Sequence, residues 1–267
     1  MAALFPPLSS MITPTRMRAA SRAALIHLGL SALVGLTTAV IVFGLWFPYP
    51  YRDVAGGQFL FMVLVSVDVV CGPLLTLVLF SPLKSRRELT LDLSLIAIVQ
   101  LSALAYGVHA ISEARPVVVA FEVDRLVAVA AVQVDPAQLG EAPPELRKLS
   151  WSGPVLVGTR DAKKDGETFH SVMQSLNGVE PSARPGWWQA YDKSRPQIQK
   201  RMKKLSELRA ARPGEGEAAI DAAAAKAGLP VAELFFLPLT GQKNLDAWIA
   251  LLDREGGIVG FAPVGGF

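Results

Sequence analysis

Three long apolar runs constrain this chain more than any other feature. Residues 23–47 contain no Asp, Glu, Lys or Arg, residues 54–83 contain one charge, Asp68, and residues 93–112 contain none. A helix crosses a hydrocarbon layer of about 30 Å with about 20 residues, so each run is long enough to span a membrane. In a chain of 267 residues, 51% are hydrophobic and 18% charged, and the mean hydropathy is +0.37, which excludes a disordered protein. The expected fold is an α-helical membrane bundle of three transmembrane helices followed by a small α+β extracytoplasmic domain. The expected boundaries are an N-terminal segment at 1–22, a membrane region at 23–116 with spans at about 23–47, 56–80 and 91–112, and a domain at 117–267. A cleavable signal would have an apolar stretch of about 7–15 residues ending at small side chains. The first run is longer and ends Leu45-Trp46-Phe47-Pro48, so it reads as an uncleaved anchor.

Loop charges give an expected orientation. Arg16, Arg18 and Arg22 precede the first run, and Lys84, Arg86 and Arg87 lie between the second and third. The opposite side has only Arg52 and Arg115 near the runs. The positive-inside rule then puts the N-terminus in the cytoplasm and, for a bacterial inner membrane, residues 117–267 in the periplasm. Trp46, Phe47, Tyr49 and Tyr51 are expected as rings at the outer interface, with Pro48 and Pro50 marking the turn between spans.

Inside the membrane, Asp68 stands out. An ionised carboxylate at the centre of a span costs about 2.5–3.5 kcal/mol or more, so such residues face a bundle interior. Its depth matches Gln100 and Ser102 in the third run, which predicts a protonated Asp68 side chain bonded to one of them. Interhelical bonding, contact with a partner's transmembrane helix and a proton relay all remain open. A relay needs several ionisable groups in series, and only His109 near the outer end offers another. Gly72-Pro73 one turn on predicts a kink. Ser31, Gly35 and Ala39 recur at four-residue spacing and suit close helix approach. Cys71 reads as an apolar filler.

Residues 117–267 carry 18 basic and 18 acidic side chains, so the net charge of +3 comes from the membrane half and marks no basic face for nucleic acid. A hairpin is expected from 117–122 and 126–134, a strand at 154–159, and a helix at 167–176 stopped by Asn177-Gly178. Ser194-Arg195-Pro196 looks like the start of a helix running to about residue 209, with Lys200, Arg201, Lys203 and Lys204 along it. A second helix is expected at 218–227 before Gly228, and strands at 234–237 and 258–261. Residues 243–253 read as an amphipathic helix, with Leu245, Trp248, Ile249 and Leu252 on one face. Trp187, Trp188 and Tyr191 form an aromatic cluster that suits either core packing or a periplasmic interaction surface.

No phosphate loop, dinucleotide fingerprint, nucleophile elbow or zincin motif occurs, and Ser171 beside His170 is a chance adjacency. One Cys and three scattered His argue against a disulfide or a metal site, so no cofactor and no enzymatic activity are expected. A membrane-anchored ligand sensor would need a cytoplasmic output domain, and the inside loops are short. A small transporter would rest on Asp68 alone.

Several stretches resemble one family. Phe47-Pro48-Tyr49-Pro50-Tyr51, the run from Val67-Asp68 through Cys71-Gly72-Pro73 to Leu77, and Pro82-Leu83-Lys84 are similar to the membrane portion of the type IV pilin accessory proteins (the TfpX/TfpZ family). Ser150-Trp151-Ser152-Gly153-Pro154, then Arg184-Pro185-Gly186-Trp187-Trp188-Gln189-Ala190-Tyr191, then Leu237-Pro238-Leu239 ahead of Trp248-Ile249-Ala250-Leu251-Leu252-Asp253, follow in the family's order. The likeness spans about residues 23–260, and 218–227 and 260–267 lie outside its pattern. It implies an inner-membrane, chaperone-like protein that supports stability or assembly of a cognate type IV pilin, without enzymatic activity. Its partners would be that pilin and membrane lipid. Asp68, Gly72, Pro73, Gln100 and Ser102 are the candidate intramembrane contacts.

Overall fold

The structure is a computed structural model and describes residues 13–163, 165–243 and 245–267. The chain divides into two compact units, Met1–Gly44 with Gln58–Ser112, and Leu45–Gly57 with Glu113–Phe267.

The first unit is helical. Helix α1 (Pro14–Ile41) starts with proline in its first turn, where a missing N–H costs nothing, and continues into a π-helical turn at Val42–Trp46. The short α2 (Tyr51–Val54) belongs to the second unit. Helix α3 (Gly57–Ser66), a π-helical turn at Val67–Cys71 and α4 (Gly72–Leu79) make one continuous rod. Helix α5 (Arg86–Ala114) opens with a capping box, in which Ser85 N donates to Glu88 Oε2 at 2.9 Å and Glu88 N to Ser85 Oγ at 3.3 Å. The three rods Pro14–Trp46, Gly57–Leu79 and Arg86–Ala114 are long and apolar enough to cross a membrane. They run past the expected limits of the first and third spans, because a helix needs only backbone hydrogen bonds and continues through Arg16, Arg18 and Arg22.

Small residues face the contact between α1 and the second rod. A Cβ on Gly35 would sit 3.5 Å from a Val65 methyl. Phe43 meets Phe61 edge-on at 5.0 Å. Two of the basic residues that set the expected orientation also complete the end of α4. Arg16 donates to Val78 O at 2.8 Å, and Lys84 Nζ to Leu79 O at 3.0 Å while pairing with Asp92.

The second unit is a mixed sheet with helices on it. Strands β1 (Pro116–Glu122) and β2 (Arg125–Ala130) form the central antiparallel hairpin. Strand β3 (Val155–Thr159) lies parallel to β1, and β6 (Phe235–Thr240) parallel to β2. Strand β4 (Trp188–Ala190) pairs antiparallel with β3, β7 (Trp248–Leu252) with β6, and β8 (Ile258–Ala262) with β7. The two-residue β5 (Lys203–Lys204) also pairs with β6. Helices α6 (Asp165–Leu176), α7 (Tyr191–Arg201), α8 (Leu205–Ala211) and α9 (Glu215–Ala227) complete the unit, with Gly228 ending α9 at φ 71°.

Both faces of this sheet are covered. Trp248, Ala250 and Leu252 join Phe121, Leu126 and Leu239 in one cluster, while Ile249 and Leu251 join Leu205, Ile220 and Phe236 in another. This explains why residues 243–253 are not the expected amphipathic helix. A strand buried on both faces reads as a continuous apolar run, and Trp-Ile-Ala-Leu-Leu fits a helical spacing by coincidence. Leu245, expected on the apolar face, is 71% exposed. The helix expected from 194 to 209 is also two helices. The first starts earlier, at Tyr191, and extended Met202 (ψ 141°) ends it before β5. Ser194 caps nothing. It is fully buried, accepts a hydrogen bond from Gln189 Nε2 at 2.9 Å, and occupies the space a side chain at Gly158 would need. The basic residues therefore split between the end of α7 and β5.

Leu45–Gly57 is more than a turn. Its rings make contacts within the sheet unit, with Phe47 buried and Tyr49 still 46% exposed. Phe47 is fully buried against Gly57, Val54 is fully buried beside Leu126 and Trp248, and Tyr49 meets the Trp248 ring edge-on at 5.7 Å. Tyr51 packs on Phe261 at 5.9 Å, Gly153 N donates to Leu45 O at 2.7 Å, and a Cβ on Gly241 would lie 2.5 Å from Val54 O.

Candidate functional site

In the helical unit, the polar residues converge around the π-helical turn. Pro73 lacks an N–H, and a turn of i to i+5 spacing would next ask residue 73 to donate to Asp68 O. Gln100 Nε2 fills that role from α5 at 3.3 Å. Gly72 makes the approach possible, since a Cβ there would overlap the Gln100 side-chain amide. Gly72, Pro73, Asp68 and Gln100 thus form one arrangement. Its detail differs from expectation. Gln100 bonds the Asp68 backbone, not its carboxyl group, and Ser102 is exposed on α5. Gln100 Nε2 serves the carbonyl to which Pro73 has no N–H to offer. Asp68 Oδ1 is shielded and has no hydrogen-bond partner among the described residues.

Sequence reasoning missed His27. Its Nδ1 lies 2.6 Å from Thr76 Oγ1, joining α1 to α4. A pocket of about 200 Å³ between the helices is lined by His27, Ser31, Asp68 and Gln100, with Leu30 and Leu101 among its apolar walls. Asp68 also borders an apolar pocket of about 300 Å³ that includes Val63, Tyr106 and Gly107. Treating His as uncharged hid His27 inside the first run; counting it as polar would have flagged a second ionisable group at the helix contact.

In the sheet unit, Trp188 and Tyr191 are core residues, which corrects their place on an interaction surface. Trp188 is 3% exposed and its Nε1 donates to Ser182 O at 2.7 Å. Tyr191 donates to Gly256 O at 2.8 Å, and burial pushes its pKa up to about 12. Their rings fill the space between the sheet and its flanking segments, and each buried polar atom finds a carbonyl. Trp187 alone borders open space, in a pocket of about 450 Å³ with Phe121, Val123, Arg160, Ser171 and Arg201. Its ring lies under two guanidinium groups, Arg160 at 4.7 Å and Arg184 at 5.5 Å. Arg160 pairs with Glu167 at 2.6 Å and holds that carboxyl at about 2. Buried Arg184 donates to Ser171 Oγ and O, Ser175 Oγ and Val179 O. Helix α6 consequently turns its serines inward and leaves Phe169, Val172, Met173 and Leu176 exposed. At the tip of the β1–β2 hairpin, exposed Val123 has φ 58°, a strained conformation for a β-branched residue. Among the described residues no group of His, Cys, Asp and Glu is placed to hold a metal.

The model of the family described as "Fimbrial assembly protein FimB" matches residues 15–56, which cover α1 and the segment that enters the sheet unit. Two fimbrial assembly proteins of Dichelobacter nodosus, of serogroups I and E1, are each 35% identical over 230 residues, covering 86% of this chain and 89% of theirs. A third from the same organism, of serogroups C1 and C2, is 45% identical over 101 residues, covering 38% of this chain and 77% of its own. No solved structure matches. With that identity running through both units, the chain belongs to the FimB family of fimbrial assembly proteins.

Proposed function

We propose that this protein is an inner-membrane accessory factor, chaperone-like and without enzymatic activity, that supports stability or assembly of a cognate type IV pilin. The observation that carries the reading is the relationship to fimbrial assembly proteins over 86% of the chain, through helical and sheet units alike. The resemblance to type IV pilin accessory proteins narrows the fimbria to that class. The basic residues Arg16, Arg18, Arg22, Lys84, Arg86 and Arg87 favour a cytoplasmic N-terminus and a periplasmic sheet domain. A pilin in the membrane has one apolar helix and a periplasmic head, so the bundle would hold the helix and the sheet domain would shield or orient the head.

The test is a clean deletion with complementation, reading pilin level and surface pili. The expected result is loss of pili, restored by the intact gene. Unchanged pilin level and piliation would overturn the proposal.

A further inference from the structure

We infer that helix α6 is a strap that undocks and melts as one unit while the sheet beneath it stays folded. Docked, it covers the Arg184 guanidinium and forms one wall of the pocket beside Trp187. The inference goes beyond the accessory role and does not depend on it.

What holds α6 in place is polar. Arg184 donates to Ser171 Oγ and Ser171 O at 3.0 Å, and to Ser175 Oγ at 3.1 Å. Arg160 donates to the two Glu167 oxygens at 3.1 and 2.6 Å. Among the described α6 side chains Ser171 alone is buried, and none joins the three apolar clusters of the unit. Phe169, Val172, Met173 and Leu176 lie on one helical stripe and stay largely exposed, so docking removes little of their area from water.

The helix is also weak on its own. At 12 residues it has a length at which an isolated helix is marginal in water. Gly166, Thr168, Val172 and two serines are poor helix formers. Its order therefore depends on the Arg184 and Arg160 anchors, which makes release and melting one event. Strand β1 is the contrast, buried along its whole length and bonded to strands on both sides. Local opening draws on segments with few buried apolar contacts, and an order–disorder segment is a switch of that kind. When α6 leaves, Thr168, Ser171 and Val172 are withdrawn from the pocket of about 450 Å³, and Arg184 loses its cover.

The test is hydrogen–deuterium exchange of the full, detergent-solubilised chain, read by mass spectrometry. Amides 169–176 should share one protection factor, about a hundredfold below that of β1. Arg184→Lys keeps the charge but loses the guanidinium fork, and should speed α6 exchange about tenfold with β1 unchanged. Ser175→Ala, at a half-buried anchor, should speed it about fivefold. Gly166→Ala should slow it about fivefold, because a Cβ there meets no atom within 4 Å and alanine favours the helix. Slower exchange cannot come from a misfolded variant. Four results would each overturn the strap: protection of α6 equal to that of β1, α6 amides as unprotected as a free peptide, a Gly166→Ala effect shared equally by β1, or no response to either Arg184→Lys or Ser175→Ala.

Discussion

The helical unit and the sheet unit solve opposite problems. In the helical unit, apolar side chains point outward from the rods, and specificity lies in a few polar contacts: His27 to Thr76, Gln100 to Asp68, Arg16 to Val78. In the sheet unit, apolar side chains fill three clusters, and polar groups such as Trp188 Nε1 and Tyr191 OH are paired inside them. The difference shows where each unit is fragile. Glycine and amide packing decide the bundle, while ring and aliphatic volume decide the sheet domain. Leu45–Gly57 follows the second rule, although it links two rods of the first unit.

The assignment of that segment gives the largest expected effect. Phe47→Ala should destabilise the sheet domain by about 3–5 kcal/mol, as for a fully buried ring. Urea unfolding of the detergent-solubilised chain, followed by tryptophan fluorescence, reads it. A change within about 0.5 kcal/mol would return Phe47 to the role of an interface ring. Next is Gly72→Ala in the bundle, expected to cost about 1–3 kcal/mol because the Gln100 amide must leave. Its thermal unfolding should shift downward, and an unchanged midpoint would mean that Gln100 does not need the glycine.

The pH dependence of the sheet domain separates two carboxylates. Burial raises the Glu122 pKa above the usual 4.5, opposed by its Ser182 hydrogen bond. A raised carboxyl pKa means stability is greatest below the unfolded value and falls as pH rises through the folded one. Glu122→Gln should therefore match the parent at pH 4 and exceed it modestly at pH 7. Glu167, held at about 2 by Arg160, has the reverse sign: its contribution is present above pH 4.5 and is lost as pH falls toward 2. Glu167→Gln should therefore cost stability at pH 7 and little at pH 2, measured by the same unfolding titration. The smallest effect is Leu245→Ser, expected within about 0.5 kcal/mol because the side chain is 71% exposed. A large loss would revive the amphipathic helix at 243–253.

Much of the first unit could be read from the sequence, because uncharged apolar runs of about 20 residues or more with charges at their ends read directly as long helices. The nearness of Gln100 to Asp68 was also legible, from depth, although the same depth pointed equally to Ser102, which is exposed. Which atom Gln100 would bond was not, since that follows from the carbonyl that Pro73 leaves unpaired. The strands at β1, β2, β3 and β8 showed through their β-branched runs. Strand β7 did not, because a short apolar run buried on both faces has no period to read. The role of Phe47 and Val54 was hidden for another reason: their partners Gly57, Leu126 and Trp248 are set by tertiary packing rather than by local spacing.

The most direct measurement is purification of the intact, tagged protein from native membranes, with its associated proteins identified by mass spectrometry. The expected result is recovery of the cognate pilin with the protein. Full recovery of the protein without pilin, from membranes that contain pilin, would contradict the reading of this chain as a pilin holder.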